Sequence, residues 1–206
     1  QVIVADKQRP PYVGDSRFDG QGREVQFHQT DLLDGASVKA MIAAVEAKYE
    51  GIHVLVNVAG GFRFGPSVEQ MEETDWDDML QLNLKSVFLA IKSVLPVMKT
   101  NGYGRIISVA ARSGLKGDPM VAHYSVSKGG VILLTQSVAE EVKTQDITVN
   151  AVLPSIVDTP ANRRSMPDSD PSGWVHPDDL ASVILFLASD DARAVSGAAI
   201  PVYYKA

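Results

Sequence analysis

The chain alternates short apolar runs with longer segments in which apolar positions recur at helical spacing. The short runs are rich in Val, Ile and Leu and end at polar or turn-forming residues, which predicts β-strands. In the longer segments apolar side chains recur every three or four residues, which predicts helices. The predicted strands cover residues 2–5, 25–29, 53–58, 105–109, 147–153 and 198–203. The predicted helices cover residues 36–49, 75–99, 123–143 and 177–187.

The order of these elements predicts the fold class. Strands that alternate with helices form βαβ units, whose strands run parallel. The strand runs are apolar throughout, as expected when helices cover both faces of the sheet. We expect Thr74 to cap the second helix and Pro177 to open the last one. Residues 8–22, with several prolines and glycines, are predicted to form a loop, and residues 1–206 a single α/β domain.

Composition excludes several classes of protein. Hydrophobic residues make up 45% of the chain and charged residues 21%, ordinary values for a globular protein, so wholesale disorder is excluded. The net charge of −6 gives no electrostatic footprint for nucleic acid or an anionic membrane. The absence of cysteine excludes disulfides and thiolate catalysis. We expect no metal site, because the histidines lack ligand spacing: His28, His53, His123 and His176.

Neither a membrane span nor a secretion signal is expected. No run approaches the ~20 apolar residues of a span, and the first residues, Gln-Val-Ile-Val-Ala-Asp, carry no basic segment. We therefore expect a cytoplasmic protein that acts on a small molecule.

Candidate chemistry lies where the predicted strands end, because ligands of parallel sheets bind outside the carboxyl ends of the strands. Tyr124 and Lys128 stand four residues apart at the start of a predicted helix and so share one face. A free tyrosine, with a pKa near ~10, is a poor acid or base at neutral pH. A neighbouring lysine cation favours the phenolate and lowers that pKa. The pair could then move a proton to or from a carbonyl oxygen.

With its neighbours, this pair resembles the short-chain dehydrogenase/reductase family over nearly the whole chain. The matching pieces follow one another in the order and spacing of that family: Asp6, Asp31, Asn57-Val-Ala-Gly60, Asn83, Gly104-Arg-Ile-Ile107, Tyr124-x-x-x-Lys128, Val149-Asn-Ala-Val-Leu-Pro154 and Val157-Asp-Thr159. The resemblance implies a Rossmann-like, doubly wound parallel sheet. It also implies hydride transfer between NAD(P)H and a small carbonyl, imine or alcohol.

The resemblance also assigns roles. Tyr124 would be the general acid/base, Lys128 would tune Tyr124 and hold the nicotinamide ribose, and Asn83 would anchor a proton-relay water. The implied cofactor-binding residues are Asp6, Asp31, Leu32, Asn57, Ala59, Gly60, Tyr124, Lys128, Pro154, Val157 and Thr159. In this family the two long helices pair between subunits, so a homodimer or homotetramer is implied.

Asp6 and Lys7 bear on the choice between NAD and NADP. The carboxylate of Asp6 sits where the family binds the adenosine ribose, and it would repel the 2′-phosphate of NADP. That favours NAD. Lys7 follows at once and could tolerate a phosphate, so NADP stays possible.

The opening unit of the family has no counterpart in this sequence. The family has a strand, a Gly-rich turn and a helix before the segment that corresponds to Gln1, and its turn wraps the pyrophosphate. No G-x-G-x-x-G occurs here, and Gly14 and Gly20 lie in the predicted loop. We expect an N-terminally incomplete dinucleotide-binding domain whose sheet has a gap at the place of that strand. Either the natural protein is longer, or this form cannot bind a dinucleotide in the usual way.

The catalytic serine of the family is also missing. Ala111 occupies its place, thirteen residues before Tyr124. Ser108 and Ser113 lie nearby but out of register, and of the two Ser113 is the candidate to replace the missing serine. Three patches are similar to quinonoid dihydropteridine reductase, a family member that also lacks this serine: residues 58–62, residues 110–120, and residues 153–167 with Trp174 following. This similarity suggests a quinonoid, pterin-like substrate.

Two hypotheses follow. The first is an NAD(P)H-dependent reductase, favoured because Tyr124, Lys128, Asn83 and Asp31 are all present. The second is a non-catalytic or regulatory relative that keeps the fold without turnover, suggested by Ala111 and the missing Gly-rich unit.

Overall fold

A computed structural model describes residues 1–10, 13 and 25–205. Most of the predicted loop at 8–22, with Gly14 and Gly20, lies outside these residues. The strands are β1 (Val2–Asp6), β2 (Val25–Gln29), β3 (Val54–Asn57), β4 (Tyr103–Val109), β5 (Asp146–Pro154) and β6 (Ala199–Val202). The helices are α1 (Gly35–Tyr49), α2 (Glu73–Leu80), α3 (Ser86–Asn101), α4 (Ala122–Glu141), α5 (Pro160–Ser165) and α6 (Pro177–Ala188).

All pairs of neighbouring strands are parallel, as predicted. The described strands form two sheets, a two-stranded sheet β1-β2 and a four-stranded sheet in the order β3-β4-β5-β6. This separation agrees with the expected gap. On β3, Val54 and Val56 are 39% and 36% exposed, whereas the residues of β5 after Asp146 are buried.

Helices cover both faces of the larger sheet, again as predicted. Side chains alternate across β4, so Ile106 packs into one apolar cluster and Ile107 into the other. The larger cluster joins β4 and β5 to α1, α3 and α4, and Ala5 of β1 packs against it. The smaller cluster lies beneath α6, where Leu187 is fully buried. The two sheets therefore share the larger cluster.

The second predicted helix differs from the expectation in two ways. It begins at Glu73 after Glu72, so Thr74 lies inside the first turn and is not the cap, which was a wrong prediction. It is also interrupted by a π-helical turn at Gln81–Lys85, between α2 and α3. Asn83 lies in that turn and is fully buried. A π turn within a helix often marks a functional position.

The helical stretch from Glu73 to Asn101 is long and apolar enough to cross a membrane by length and composition alone, with a mean hydropathy of 1.3 in its most apolar window. This average over a window is a looser criterion than the uninterrupted apolar run considered above, which Lys85 and Lys92 break in this stretch. A core helix passes the same test, and here Val94 and Met98 are fully buried in the larger cluster. Among the described residues it is the one such stretch, and it is weak evidence for a span.

A charged cluster fixes the amino end of the larger sheet. Arg105 on β4 is only 1% exposed and donates a hydrogen bond of 2.8 Å to the carboxylate of Asp146, on β5. Its guanidinium also contacts Asp190 at 3.3 Å and lies 4.2 Å from the ring centroid of Tyr103. The hydroxyl of Tyr103 donates to the same Asp190 carboxylate. The cluster thus ties β4 and β5 to the segment that follows α6.

Candidate active site

Tyr124 and Lys128 lie on the first two turns of α4, beside the carboxyl end of β4. The ammonium of Lys128 donates a hydrogen bond of 2.8 Å to the carbonyl of Val109, the last residue of β4. Lys128 is 5% exposed. This bond uses one of the three ammonium donors, so two remain free to bind a ligand.

Asn83 joins three segments of the site. Its amide donates to the carbonyl of Gly61 and to the hydroxyl of Ser127, at 3.0 and 3.2 Å. Its Oδ1 accepts from the N–H of Gly61 at 2.8 Å. A Cβ on Gly60 would lie 2.7 Å from Asn83 Oδ1 and 3.2 Å from Lys128 Nζ, so only glycine fits here. The π turn, the segment after β3 and α4 therefore meet at Asn83.

Burial sets the proton affinities of the pair. It raises the pKa of Tyr124 to about 12, because the phenolate loses its hydration. It lowers the pKa of Lys128 to about 8 for the same reason, since the charged ammonium is disfavoured. The prediction that Lys128 lowers the pKa of Tyr124 was therefore wrong for this conformation, in which the Lys128 ammonium bonds to Val109. At neutral pH Tyr124 carries its proton.

The position of the missing serine holds a buried alanine. Ala111 is 6% exposed and directly precedes the short 3₁₀ helix Arg112–Gly114, which contains Ser113. Ser108 is fully buried and accepts a hydrogen bond of 3.1 Å from the amide of Asn57. That bond joins the ends of β3 and β4, so Ser108 serves the sheet. Ser113 remains half-buried beside α4.

The carboxyl end of the smaller sheet carries the predicted adenosine-binding residues. Asp6 ends β1, is exposed and accepts a hydrogen bond from the N–H of Gln8. Lys7 forms an ion pair of 3.1 Å with Asp31. The N–H of Leu33 and this lysine hold the pKa of Asp31 below its ordinary value. Leu32 lies half-buried in the same turn. Lys7 thus points to Asp31 in this conformation.

The segment after β5 carries the predicted nicotinamide-side residues. Pro154 ends β5 and is buried, and the half-buried Val157 pairs with Val175 in a parallel bridge. Thr159 caps α5, its hydroxyl accepting from the N–H of Asn162. The amide of Asn162 donates to the carbonyl of Val157 at 2.7 Å, which holds this turn in shape.

Some residues near Tyr124 were not predicted to take part. Ser127 donates to the carbonyl of Tyr124 at 2.7 Å and so links Asn83 to α4. The N–H of Gly65 donates to the carbonyl of Met120, which has a positive φ of 65°. His123 is fully buried, and neither of its ring nitrogens has a hydrogen-bond partner. A serine or histidine inside a helix follows no sequence pattern that would predict these contacts.

The donor set fits a dinucleotide at its nicotinamide end. Two free donors on a buried ammonium suit a ribose diol, which presents two acceptor oxygens. The exposed carboxylate of Asp6 suits the hydroxyls of a second ribose. Among the described residues no group of His, Asp or Glu could hold a metal ion. A parallel α/β sheet with a tyrosine and such an ammonium one turn apart on α4 is an arrangement that fits an NAD(P)-dependent oxidoreductase.

Comparisons with known proteins agree. The family model described as enoyl-(acyl carrier protein) reductase matches residues 15–203. A 3β-hydroxysteroid dehydrogenase of Mediterraneibacter gnavus is 31% identical over 87% of this chain and 75% of its own length. A 3-oxoacyl-[acyl-carrier-protein] reductase of Thermotoga maritima is 35% identical over 89% of this chain and 78% of its own. The crystal structure of levodione reductase superposes with a TM-score of 0.86 at 25% identity, over 98% of this chain and 85% of that one.

The chain therefore belongs to the short-chain dehydrogenase/reductase family and is an oxidoreductase. Members of this family use NAD(P). The predicted family, fold class and enzyme class are confirmed, whereas the similarity to dihydropteridine reductase finds no support in these relatives.

Proposed function

We propose that this enzyme transfers a hydride between NADH and a small carbonyl or imine, with Tyr124 as the proton donor. The observation that carries the proposal is the pair on α4, a protonated Tyr124 beside a buried Lys128 with two free donors. The relatives act, by their names, on a 3β-hydroxysteroid and a 3-oxoacyl-[acyl-carrier-protein], which carry a hydroxyl and an oxo group. A quinonoid, pterin-like substrate stays within this proposal as a narrower alternative.

Tyr124, Lys128 and Asn83 have different roles in the proposed reaction. Tyr124 gives its proton to the substrate oxygen or nitrogen, which prevents charge from building up there. Lys128 binds the two hydroxyls of the nicotinamide ribose and so fixes the cofactor beside Tyr124. Asn83 keeps the segment at Gly61 in place. The reduced nicotinamide, when bound, supplies the hydride. Ala111 offers no hydroxyl to polarise the substrate, so Tyr124 is the principal proton donor.

Titration with NADH, followed by intrinsic fluorescence, tests the function together with a turnover screen of small aldehydes and quinonoid pterins. Saturable binding with turnover of one of these classes supports the proposal. Binding without turnover of any class favours the second hypothesis, a relative without catalysis, for which Ala111 is the specific observation. Absence of NADH binding contradicts the cofactor assignment.

The charge at the end of β1 predicts a preference for NADH. A carboxylate at Asp6 and a 2′-phosphate ~4 Å away repel by about 1 kcal/mol in water and about 4 kcal/mol at partial burial. We expect Asp6→Ser to lower the dissociation constant for NADPH, relative to that for NADH, by about 10-fold. Asp191→Ser, at an exposed aspartate in the 3₁₀ turn Asp190–Ala192 after α6, is the matched control. An unchanged ratio in Asp6→Ser would contradict the assignment.

The lowered pKa of Lys128 predicts how activity varies with pH. Below pH about 8 the ammonium is charged and donates to the ribose, and above it the amine loses that charge. Tyr124, with a pKa of about 12, stays protonated across this range. We expect kcat/KM for reduction to fall about tenfold per pH unit above pH 8, measured from pH 6 to 10 with fixed NADH. A flat profile to pH 10 would show that the charge on Lys128 is not required.

We further propose that α3 and α4 pair with a second copy of this chain. Phe88 on α3 is 43% exposed and Leu133 on α4 is 65% exposed. The clefts between these helices are lined by Leu84, Leu95 and Leu134. A monomer mass by sedimentation equilibrium would contradict this pairing.

A further inference from the structure

Two exposed phenylalanine rings stand beside Tyr124. Phe62 is 53% exposed and Phe64 is 70% exposed. The ring of Phe62 lies 4.9 Å from that of Tyr124, edge to face at 89°. The ring of Phe64 lies 4.9 Å from that of Phe62, at 83°. The three rings therefore form a continuous chain of perpendicular contacts that leads from solvent to the tyrosine.

This aromatic segment, Phe62 to Phe64, is held on both sides. At its start, Gly61 makes two hydrogen bonds to Asn83. At its end, the N–H of Gly65 donates to the carbonyl of Met120 at 2.8 Å. Between them Arg63 donates to Asp75 at 2.6 Å. The backbone that carries the two rings is thus held at both ends before any ligand arrives, which lowers the entropy lost on binding.

The surroundings of the segment are apolar as well. Met120, whose carbonyl accepts from the N–H of Gly65, is 48% exposed, and Val58, directly after β3, is 64% exposed. A cluster of exposed apolar side chains around a polar group is typical of a ligand site. Here the polar group is the Tyr124 hydroxyl, and the ring of Phe62 lies 4.9 Å from the Tyr124 ring. A ligand whose reacting atom meets that hydroxyl would therefore place its apolar part within a few bonds of the reacting atom.

We propose that Phe62 and Phe64 select substrates in which an aromatic ring is bonded directly to the reacting carbonyl. Phe62 and Phe64 are nearly perpendicular to each other. An aromatic substrate ring can therefore stack on one of them and make an edge-to-face contact with the other, and these are the two arrangements that aromatic pairs prefer. A ring attached directly to the carbonyl reaches Phe62 while its oxygen meets Tyr124, since these two side chains touch. This selection rests on the proposed reductase activity.

The reaction balances as a two-electron reduction of an aryl aldehyde or ketone. The carbonyl carbon gains a hydride from the reduced nicotinamide and a new C–H bond. The carbonyl π bond breaks, and its oxygen takes the proton of the Tyr124 hydroxyl. The products are the aryl carbinol and the oxidised cofactor, and solvent returns the proton to Tyr124.

Benzaldehyde and cyclohexanecarbaldehyde test the proposal, because they differ chiefly in the flatness and π-electrons of the ring. We expect wild-type kcat/KM to favour benzaldehyde. Each aromatic contact is worth about 2- to 12-fold beyond its area. Phe62→Leu/Phe64→Leu should therefore lower kcat/KM for benzaldehyde about 10-fold or more and that for cyclohexanecarbaldehyde less than about 3-fold. Phe186→Leu, an exposed phenylalanine on α6, is the control and should change neither.

Binding of benzyl alcohol separates this proposal from the reductase activity. Saturation-transfer NMR detects it without turnover, and thermal unfolding checks that the double variant is folded. If neither aldehyde is reduced but benzyl alcohol binds the wild type and not the double variant, the aromatic site stands and the reductase proposal fails. If both aldehydes are reduced equally by wild type and double variant, the aromatic selection is overturned while the activity stands. Absence of both binding and turnover overturns the aromatic site.

Discussion

Replacing Tyr124 with phenylalanine is expected to lower kcat by a factor of about 10² to 10⁴, the usual contribution of general acid catalysis. The variant loses only the hydroxyl, and the ring keeps its edge-to-face contact with Phe62. NADH affinity should change little, because Lys128 bonds to Val109 and not to Tyr124. Steady-state kinetics together with NADH titration separate these two effects.

Two control variants sharpen this experiment. Tyr49→Phe removes a hydroxyl that bonds to Gln26 at 2.6 Å, away from α4, and should keep full activity. Ser113→Ala should keep most of the activity, since Ser113 lies out of register with the missing serine. Wild-type turnover in Tyr124→Phe would refute the proton-donor role. A loss in Ser113→Ala comparable to that in Tyr124→Phe would identify Ser113 as a second proton donor.

Replacing Asn83 with leucine is expected to lower the free energy of unfolding by about 2 to 4 kcal/mol. Leucine nearly preserves the volume but leaves the half-buried N–H and C=O of Gly61 without their partner, and a loss of this kind costs about 1 to 3 kcal/mol in a buried site, less where water reaches it. The π turn also loses its link to Ser127. Urea unfolding measures the change, and Asn101→Leu, at the exposed end of α3, should change it by less than about 0.5 kcal/mol.

Activity should fall with stability in this variant, because Gly61 begins the segment that carries Phe62. We expect KM to rise more than kcat falls, since the substrate surface loosens while Tyr124 keeps its proton. An unchanged unfolding free energy would mean that water replaces the amide of Asn83 at Gly61.

Much of the fold could be predicted because the apolar pattern reports burial directly. The strand predicted at 147–153 falls within β5, and the helix predicted at 123–143 overlaps α4 almost completely. Thr74 was a wrong cap because it stands in the first turn of a helix that begins at Glu73. The sequence around Asn83 contains neither proline nor glycine, so nothing in it indicated a π turn.

The site was predictable as a set of residues and less so as chemistry. The spacing of Tyr124 and Lys128 places them on one face of α4, and the π turn brings Asn83 to the same helix. The direction of the Tyr124 pKa was wrong because a sequence shows which charges are near in the chain, not how much water a side chain loses. The contact of Phe62 with Tyr124 depends on the fold, since the two rings come from different segments.

The ion pairs of the buried Arg105 with Asp146 and Asp190 have a consequence for how this enzyme can vary. They hold β4 and β5 together at the amino end of the larger sheet, whereas Tyr124 and Lys128 lie at its carboxyl end. Substitutions in the loops around Tyr124 therefore leave the ion pairs of Arg105 intact. Substitutions of Arg105 itself would weaken the contacts of both β4 and β5. We expect natural or selected variants to acquire new substrates through changes at the carboxyl end of the sheet. The ion pairs at the amino end determine how much loss of stability such changes can cause before the protein unfolds.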